Sequence, residues 1–175
     1  MSTASVEPLP HVTFADYLAL DKVADVRHEW AAGRVYAMSG GSERHGLLSG
    51  LLSSALADGA RTAGCRPFQQ GRRLRAGLVS YYPDVMVVGP AGDDQFETDA
   101  SLMIEVLSPS TRDVDRREKA TSYATLASLR QYVLVDPDRA RFEVADLTAD
   151  GLRWTAHGPG SVVFTAYGDL HVDAL

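Results

Sequence analysis

Cysteine is nearly absent: Cys65 stands alone among 175 residues, so no internal disulfide can staple the chain. A reduced, cytoplasmic setting is the expectation, with Cys65 as a small buried residue. Long apolar runs are absent too. None approaches the roughly 18–20 residues of a membrane-spanning helix. The first residues, MSTASVEPLPHVTFADYL, have neither the basic nor the apolar region of a secretory signal. Lysine is scarce: of 17 cationic residues, 15 are arginines and only Lys22 and Lys119 are lysines. Positive charge is outnumbered overall, with 23 acidic residues and a net charge of −6. That excludes a protein that coats nucleic acid by general electrostatics.

What is present suits one α/β domain. The 45% hydrophobic content can fill a core, and no internal repeat is visible. Residues 1–12, rich in Ser and Pro, read as a loose arm ahead of a single domain over 13–175. The cations are clustered. Arg61, Arg66, Arg72, Arg73 and Arg75 fall within 15 residues, and Arg112, Arg116, Arg117 and Lys119 within eight, so a local basic face remains open.

Thr13 is placed to cap a short helix, FADYLALD. RHEWAAGRVYAM alternates around a Gly-containing turn, as a hairpin over 27–31 and 34–38 would. Ser42 can cap a longer helix to about Ala63, with Leu47, Leu48, Leu51, Leu52, Ala55 and Leu56 as its apolar stripe and Gly64 as its stop. RPFQQ, RRLRA, YPDVMVV and SLMIEVL read as strands. A second helix starts at Asp113 or Asp115 and runs to about Ala127. QYVLVD then reads as a central strand, and RFEVADL, LRWTAH and SVVFTAY as a β tail. The order predicts a sheet covered by helices rather than a sandwich.

Two of these strands carry a carboxylate. Asp84 opens DVMVV, and Glu105 sits inside LMIEVL, with 20 residues between them. Neither strand alternates, so both faces should be buried. A lone buried carboxylate costs several kcal/mol, about. A divalent cation is one solution: two carboxylates and a backbone carbonyl give the hard oxygen ligands that magnesium prefers. Structural explanations compete. Asp84 follows Pro83, where an aspartate commonly accepts backbone hydrogen bonds. Glu105 could be the buried partner of Arg73 or Arg75. Downstream, Asp115, Lys119 and Tyr123 share one helical face. An exposed Asp115–Lys119 pair is the plain reading. A chain that otherwise uses arginine, however, has placed a compact ammonium there.

These residues carry a family resemblance. Pro83-Asp84, IEVLSPST, D-x-x-x-K-x-x-x-Y, YVLVDP and the upstream HEW-x-x-GRVYAMSGGSERH together resemble the Uma-type family. This is a bacterial group with a restriction-endonuclease-like, PD-(D/E)XK fold, and the resemblance spans about Phe14 to Tyr167. It implies a mixed β-sheet flanked by helices, with an N-terminal hairpin and a C-terminal β tail. It also implies a Mg²⁺ or Mn²⁺ ion at Asp84 and Glu105, with the Val106 carbonyl as a further ligand. The standard pattern has its lysine two residues after the glutamate, but here Leu107 stands there. Either the site is dead or the lysine has moved to the helix as Lys119, the pattern that relatives resemble. Glu29, in the HE motif, would be an accessory acid. His45 would contact the site or a phosphate, or serve in capping.

The chemistry implied is metal-assisted phosphodiester hydrolysis of nucleic acid, DNA foremost. Arg72, Arg73 and Arg75 are candidates for backbone phosphate contacts. A homodimer is the expected assembly, because two-strand cutting on this fold often uses paired subunits. The rival is a non-catalytic scaffold that keeps the fold, which the acidic charge and Leu107 favour. Convergence of Asp84, Glu105 and Lys119 around an open pocket separates the two readings.

Overall fold

The structure is a computed structural model that describes residues 11–38, 40–109 and 112–175. Helix α1 (Phe14–Val23) begins where expected, with the Thr13 hydroxyl accepting from the Asp16 N–H. Strands β1 (His28–Ala31) and β2 (Arg34–Ala37) form the expected hairpin. Its turn residues, Ala32 and Gly33, have φ of 46° and 85°, the double positive φ of a two-residue I′ loop. Val12, from the end of the expected arm, is tied to this hairpin. Its N–H donates to the Gly33 carbonyl, and its own carbonyl accepts from Trp30 Nε1. Residues 1–10 of that arm lie outside the described residues.

Helix α2 (Glu43–Thr62) is capped by Ser42, whose hydroxyl accepts from the His45 N–H. Its expected apolar stripe is narrower than the sequence suggests. The ridge Leu48, Leu52, Leu56, Ala60 is buried at four-residue spacing, while Leu47 and Leu51 rotate outward and stay 63% and 58% exposed.

The strands that follow are β3 (Arg66–Gln69), β4 (Leu74–Ala76), β5 (Val79–Tyr81), β6 (Val85–Val88) and β7 (Ala100–Val106). Next come α3 (Arg112–Val114), a π-helical turn (Asp115–Lys119) and α4 (Ala120–Tyr123). Strands β8 (Gln131–Asp136), β9 (Arg141–Thr148) and β10 (Gly151–His157) complete a six-stranded sheet of order β10-β9-β8-β7-β6-β3. Only β7 and β8 run parallel, joined by the helical crossover; the other neighbours are antiparallel. A second sheet has the order β2-β1-β5-β4.

The central strands are buried on both faces, which is why they do not alternate. Val85, Val87, Leu102, Ile104 and Val133 pack with Leu48, Leu52 and Leu56 of α2. Met86, Met103, Leu107, Tyr132 and Leu134 pack with Tyr123, Leu126 and Leu129. This mixed sheet between helices is the expected restriction-endonuclease-like architecture.

Several local expectations change. The strand read from YPDVMVV is only Val85–Val88, in the large sheet, and an unexpected strand, β5, ends just before it at Tyr81 in the small sheet. Pro83, with no N–H to donate, marks the break. The strand read from RRLRA is only Leu74–Ala76. The second helix is interrupted by the π-turn and ends at Tyr123 rather than near Ala127. SVVFTAY supplies one strand of a hairpin, β11 (Val162–Thr165) with β12 (Gly168–His171). Cys65 is half-buried, its Sγ 3.8 Å from the Tyr167 hydroxyl. No described helix is long and apolar enough to cross a membrane.

Ion pairs lock the small sheet to its neighbours. Asp21 of α1 accepts from the His28 N–H at 2.7 Å, from the Tyr82 hydroxyl, and from Arg73 at 2.6 Å. Burial opposes ionisation of Asp21, but the Tyr82 and Arg73 bonds outweigh it and hold its carboxyl below the ordinary range. A depressed native pKa gives stability that is present above the unfolded value, about pH 4, and lost as pH falls through the native one. Asp21→Ala should therefore destabilise the protein at neutral pH by about 3 kcal/mol, since the largely buried Arg73 loses its only carboxylate among the described residues and keeps just the Tyr17 hydroxyl and the Gln95 carbonyl. Urea denaturation across the acid range checks it: the gap to wild type should close below about pH 4.

Candidate active site

The antiparallel register of β6 and β7 pairs Val85 with Ile104, so Asp84 and Glu105 come next to each other at one end of the sheet. Asp84 Oδ2 accepts from the Val106 N–H at 2.8 Å and faces His45 Nε2 at 3.0 Å. Glu105 Oε1 accepts from Lys119 Nζ at 3.1 Å and from the Tyr123 hydroxyl at 3.0 Å. Lys119 also reaches Asp115 Oδ1 at 3.1 Å and Glu29 Oε1 at 3.5 Å, with the Tyr81 ring centroid 5.4 Å away. Glu105 is 3% exposed and Lys119 6%. These groups border an open cleft of about 890 Å³, lined also by Leu107, Tyr36, Tyr82, Arg27 and Arg44.

The π-turn explains how a polar run, DRREK, presents two buried charged side chains. Asp115 and Lys119 face inward, while Arg117 and Glu118 stay exposed. The wider turn departs from the regular helix that the four-residue spacing suggested, and such turns recur at functional sites. Leu107, at the position where the standard pattern has lysine, is buried in the apolar cluster that contains Tyr123.

Negative charge dominates. Asp84, Glu105, Asp115 and Glu29 face one ammonium and one imidazole. Burial pushes the Glu105 carboxyl well up; Lys119 counters it, and Asp84, Asp115 and Glu29 add to it. Burial alone would lower Lys119, but Glu105, Glu29 and Asp115 together hold it well above the ordinary lysine value. Lys119 is thus a fixed cation and not a base. The bond to Asp84 raises His45, with the Val106 carbonyl adding in the same direction.

Among the described residues, no three His, Cys, Asp or Glu side chains form a preformed metal cage. Magnesium does not need one; it keeps several waters and is held by one or two carboxylates. The bonds above use Asp84 Oδ2 and Glu105 Oε1, which leaves Asp84 Oδ1 and Glu105 Oε2 as the oxygens for a cation. Two carboxylates, the Val106 carbonyl and a surplus of negative charge fit such an ion.

The sequence profile of the Uma2 family, described as "putative restriction endonuclease", matches residues 14–163. The chain belongs to the Uma2 family. An uncharacterized protein of Synechocystis sp. is 31% identical over 149 residues, covering 82% of this chain and 78% of its own length. A second from the same organism is 33% identical over 142 residues, covering 71% and 75%. The crystal structure of a "putative nuclease belonging to DUF820" from Anabaena variabilis superposes with a TM-score of 0.77. At 16% identity, over 93% of this chain and 96% of that one, it shares the fold.

In this Uma2 protein the expected catalytic residues Asp84, Glu105, Lys119 and Glu29 come together, with His45 beside them. The helix cap is Ser42, not His45. The expected phosphate contacts Arg72, Arg73 and Arg75 do not line the cleft. Arg72 binds Glu97 at 2.7 Å and the Asp93 and Asp94 carbonyls. Arg73 binds Asp21, and Arg75 stacks 4.1 Å from the Phe14 ring centroid. Neither Arg73 nor Arg75 partners Glu105. The structure uses these arginines to hold α1 and the 89–99 loop to the small sheet.

Asp115, Tyr123 and Tyr81 join the site without having been assigned to it. The spacing Asp115, Lys119, Tyr123 was the one sequence signal for Asp115 and Tyr123, and Tyr81 had none. Since the Glu105 pKa is raised, keeping it charged costs stability as pH climbs above the unfolded value. Without divalent ions, Glu105→Gln should melt above wild type at pH 7–8, roughly, and the gain should shrink toward pH 4. Lys119 keeps Asp115 and Glu29 as partners in that variant. Thermal denaturation over this pH range reads the effect, and a variant less stable throughout would contradict it.

Proposed function

We propose that this protein hydrolyses phosphodiester bonds of nucleic acid, DNA foremost, with Asp84, Glu105 and the Val106 carbonyl holding Mg²⁺ or Mn²⁺ and Lys119 as the catalytic cation. The observation that carries this reading is the Lys119 ammonium, 3.1 Å from Glu105 and bordering an open cleft. When bound, the ion would polarise the phosphoryl group and lower the pKa of a water. The chain's own residues do the rest. Lys119, kept protonated by three carboxylates, offers a compact positive charge to phosphoryl oxygens that gain negative charge in the transition state. Asp115 and Glu29 fix the ammonium in position. Tyr123 and Lys119 grip one oxygen of Glu105, and His45 and the Val106 N–H grip one oxygen of Asp84, so both carboxylates are preorganised.

A non-catalytic scaffold accounts poorly for this arrangement. Crowding four carboxylates around one lysine costs desolvation and repulsion that well-packed apolar residues would avoid. Leu107 also loses its weight as evidence for a dead site, because the cation comes from the crossover helix instead.

Cleavage assays with Mg²⁺ and Mn²⁺ on single- and double-stranded DNA test the reading. Lys119→Met should lose about 100-fold or more in rate while still binding Mn²⁺ by titration calorimetry. Lys119→Arg should be severely impaired, because a planar guanidinium is larger than the ammonium it replaces. Asp84→Asn and Glu105→Gln should each lose the Mn²⁺ site. Full cleavage by Lys119→Met, or no metal-dependent cleavage by wild type, would defeat the proposal.

A further inference from the structure

We infer that the cleft takes a single polynucleotide strand, DNA or RNA, with a base stacked on Tyr36 and neighbouring phosphates on Arg27 and Arg44. The inference rests on the nuclease reading for its chemistry, though strand binding is separable from cleavage. It begins with the arginines. A duplex held by its backbone needs a broad basic face, and on a chain of net charge −6 that face must be local. Most of the two basic clusters is tied to acids of the chain itself. Arg66 and Arg72 converge on the buried Glu97, and Arg73 on Asp21. Arg112 is held by Asp136, and Arg116 by Glu143.

Two other arginines border the cleft itself. Arg27 lies with its guanidinium 5.2 Å from the Tyr82 ring centroid. Arg44 donates to the Pro137 carbonyl at 2.9 Å and sits 3.8 Å from Asp138. The Arg44 and Asp138 side chains are 56% and 60% exposed, a loose surface pair that a phosphate can displace. Two such cations can hold a short stretch of backbone but not a duplex face.

The aromatic contact is set by strand register. Tyr36 pairs directly with Glu29 across the β1–β2 hairpin, so the two side chains share a face. Glu29 in turn reaches Lys119 Nζ at 3.5 Å. Tyr36 therefore borders the cleft within one residue's reach of the catalytic lysine, yet remains 50% exposed. A half-exposed ring beside a buried charge cluster is a stacking platform, and stacking accepts any base. The cleft volume, about 890 Å³, is in the range of a small-molecule pocket, so its floor has room for one or two nucleotides.

Fluorescence anisotropy in Ca²⁺ would compare labelled oligo-dT, oligo-U and a duplex DNA of equal length on the wild-type protein. Cleavage of the same three would be followed separately in Mg²⁺ and Mn²⁺. Single strands should bind at least about tenfold tighter than duplex, and the oligo-dT and oligo-U arms show whether the sugar matters. Tyr36→Ala should weaken single-strand binding about fivefold or more without changing the melting temperature. Arg27→Gln and Arg44→Gln should each reduce the salt slope by about 0.7. Equal or tighter duplex binding, or wild-type affinity in Tyr36→Ala, overturns the inference. Single-strand binding without metal-dependent cleavage would uphold it and defeat the nuclease reading. Cleavage with a preference for duplex would do the reverse.

Discussion

One ammonium holds the site together. Lys119 Nζ is shared by Glu105 of β7, Asp115 of the π-turn and Glu29 of β1. These carboxylates come from the large sheet, the crossover and the small sheet. Without that cation, three negative charges would meet in a place where water cannot screen them. The same interaction explains the residue type. An arginine in this position would need room for a planar guanidinium and would suit a two-pronged contact with one carboxylate. A compact ammonium can be approached by several carboxylates at once.

The arginines divide the labour differently. Glu97 is 1% exposed and is gripped by Arg66 through both carboxylate oxygens and by Arg72 through one. Asp136, fully buried, is met by Arg112 at 2.6 Å, with Arg116 and Arg139 farther out. Asp21 is met by Arg73. In each case a buried acid is matched with at least one guanidinium, and the result is a rigid join between a loop or helix and a sheet. The cleft differs in that acids outnumber cations. Burial raises Glu105, and the surrounding acids add to that rise against the pull of Lys119, which sets the site apart from the structural ion pairs around it.

Much of this was legible in the sequence because the signals were local. The cap and length of α2, the hairpin around Ala32-Gly33, and the apolar strands with Asp84 and Glu105 all rest on short-range patterns. Lys119 stood out because lysine is rare in this chain. What failed to show was set by distant partners. Arg72 and Arg73 looked available for phosphate because Glu97 lies in a polar loop and Asp21 in a short helix, 25 and 52 residues away. The break at Pro83 was hidden by apolar residues on both sides that serve different sheets. The π-turn has no composition signature at all: the four-residue spacing of Asp115, Lys119 and Tyr123 suits a regular helix equally well. Tyr36 reads as an ordinary strand residue until the register sets it opposite Glu29.

The acidic character of the cleft bears on how a polyanion could enter it. A phosphate approaching Asp84, Glu105, Asp115 and Glu29 meets repulsion that Lys119 and His45 only partly offset. On the proposed reading, a divalent ion is then required twice: for the reaction, and for tolerating the substrate at all. Cation binding also competes with the proton that the raised Glu105 favours, so metal affinity should rise with pH as that proton is released. The chain's negative net charge is consistent with this. On that reading, a chain of net charge −6 whose cleft offers a polyanion two rim arginines and a cation-loaded floor discriminates by access instead of by base contacts. Its selectivity would come from which strands can bend or open far enough to reach the floor.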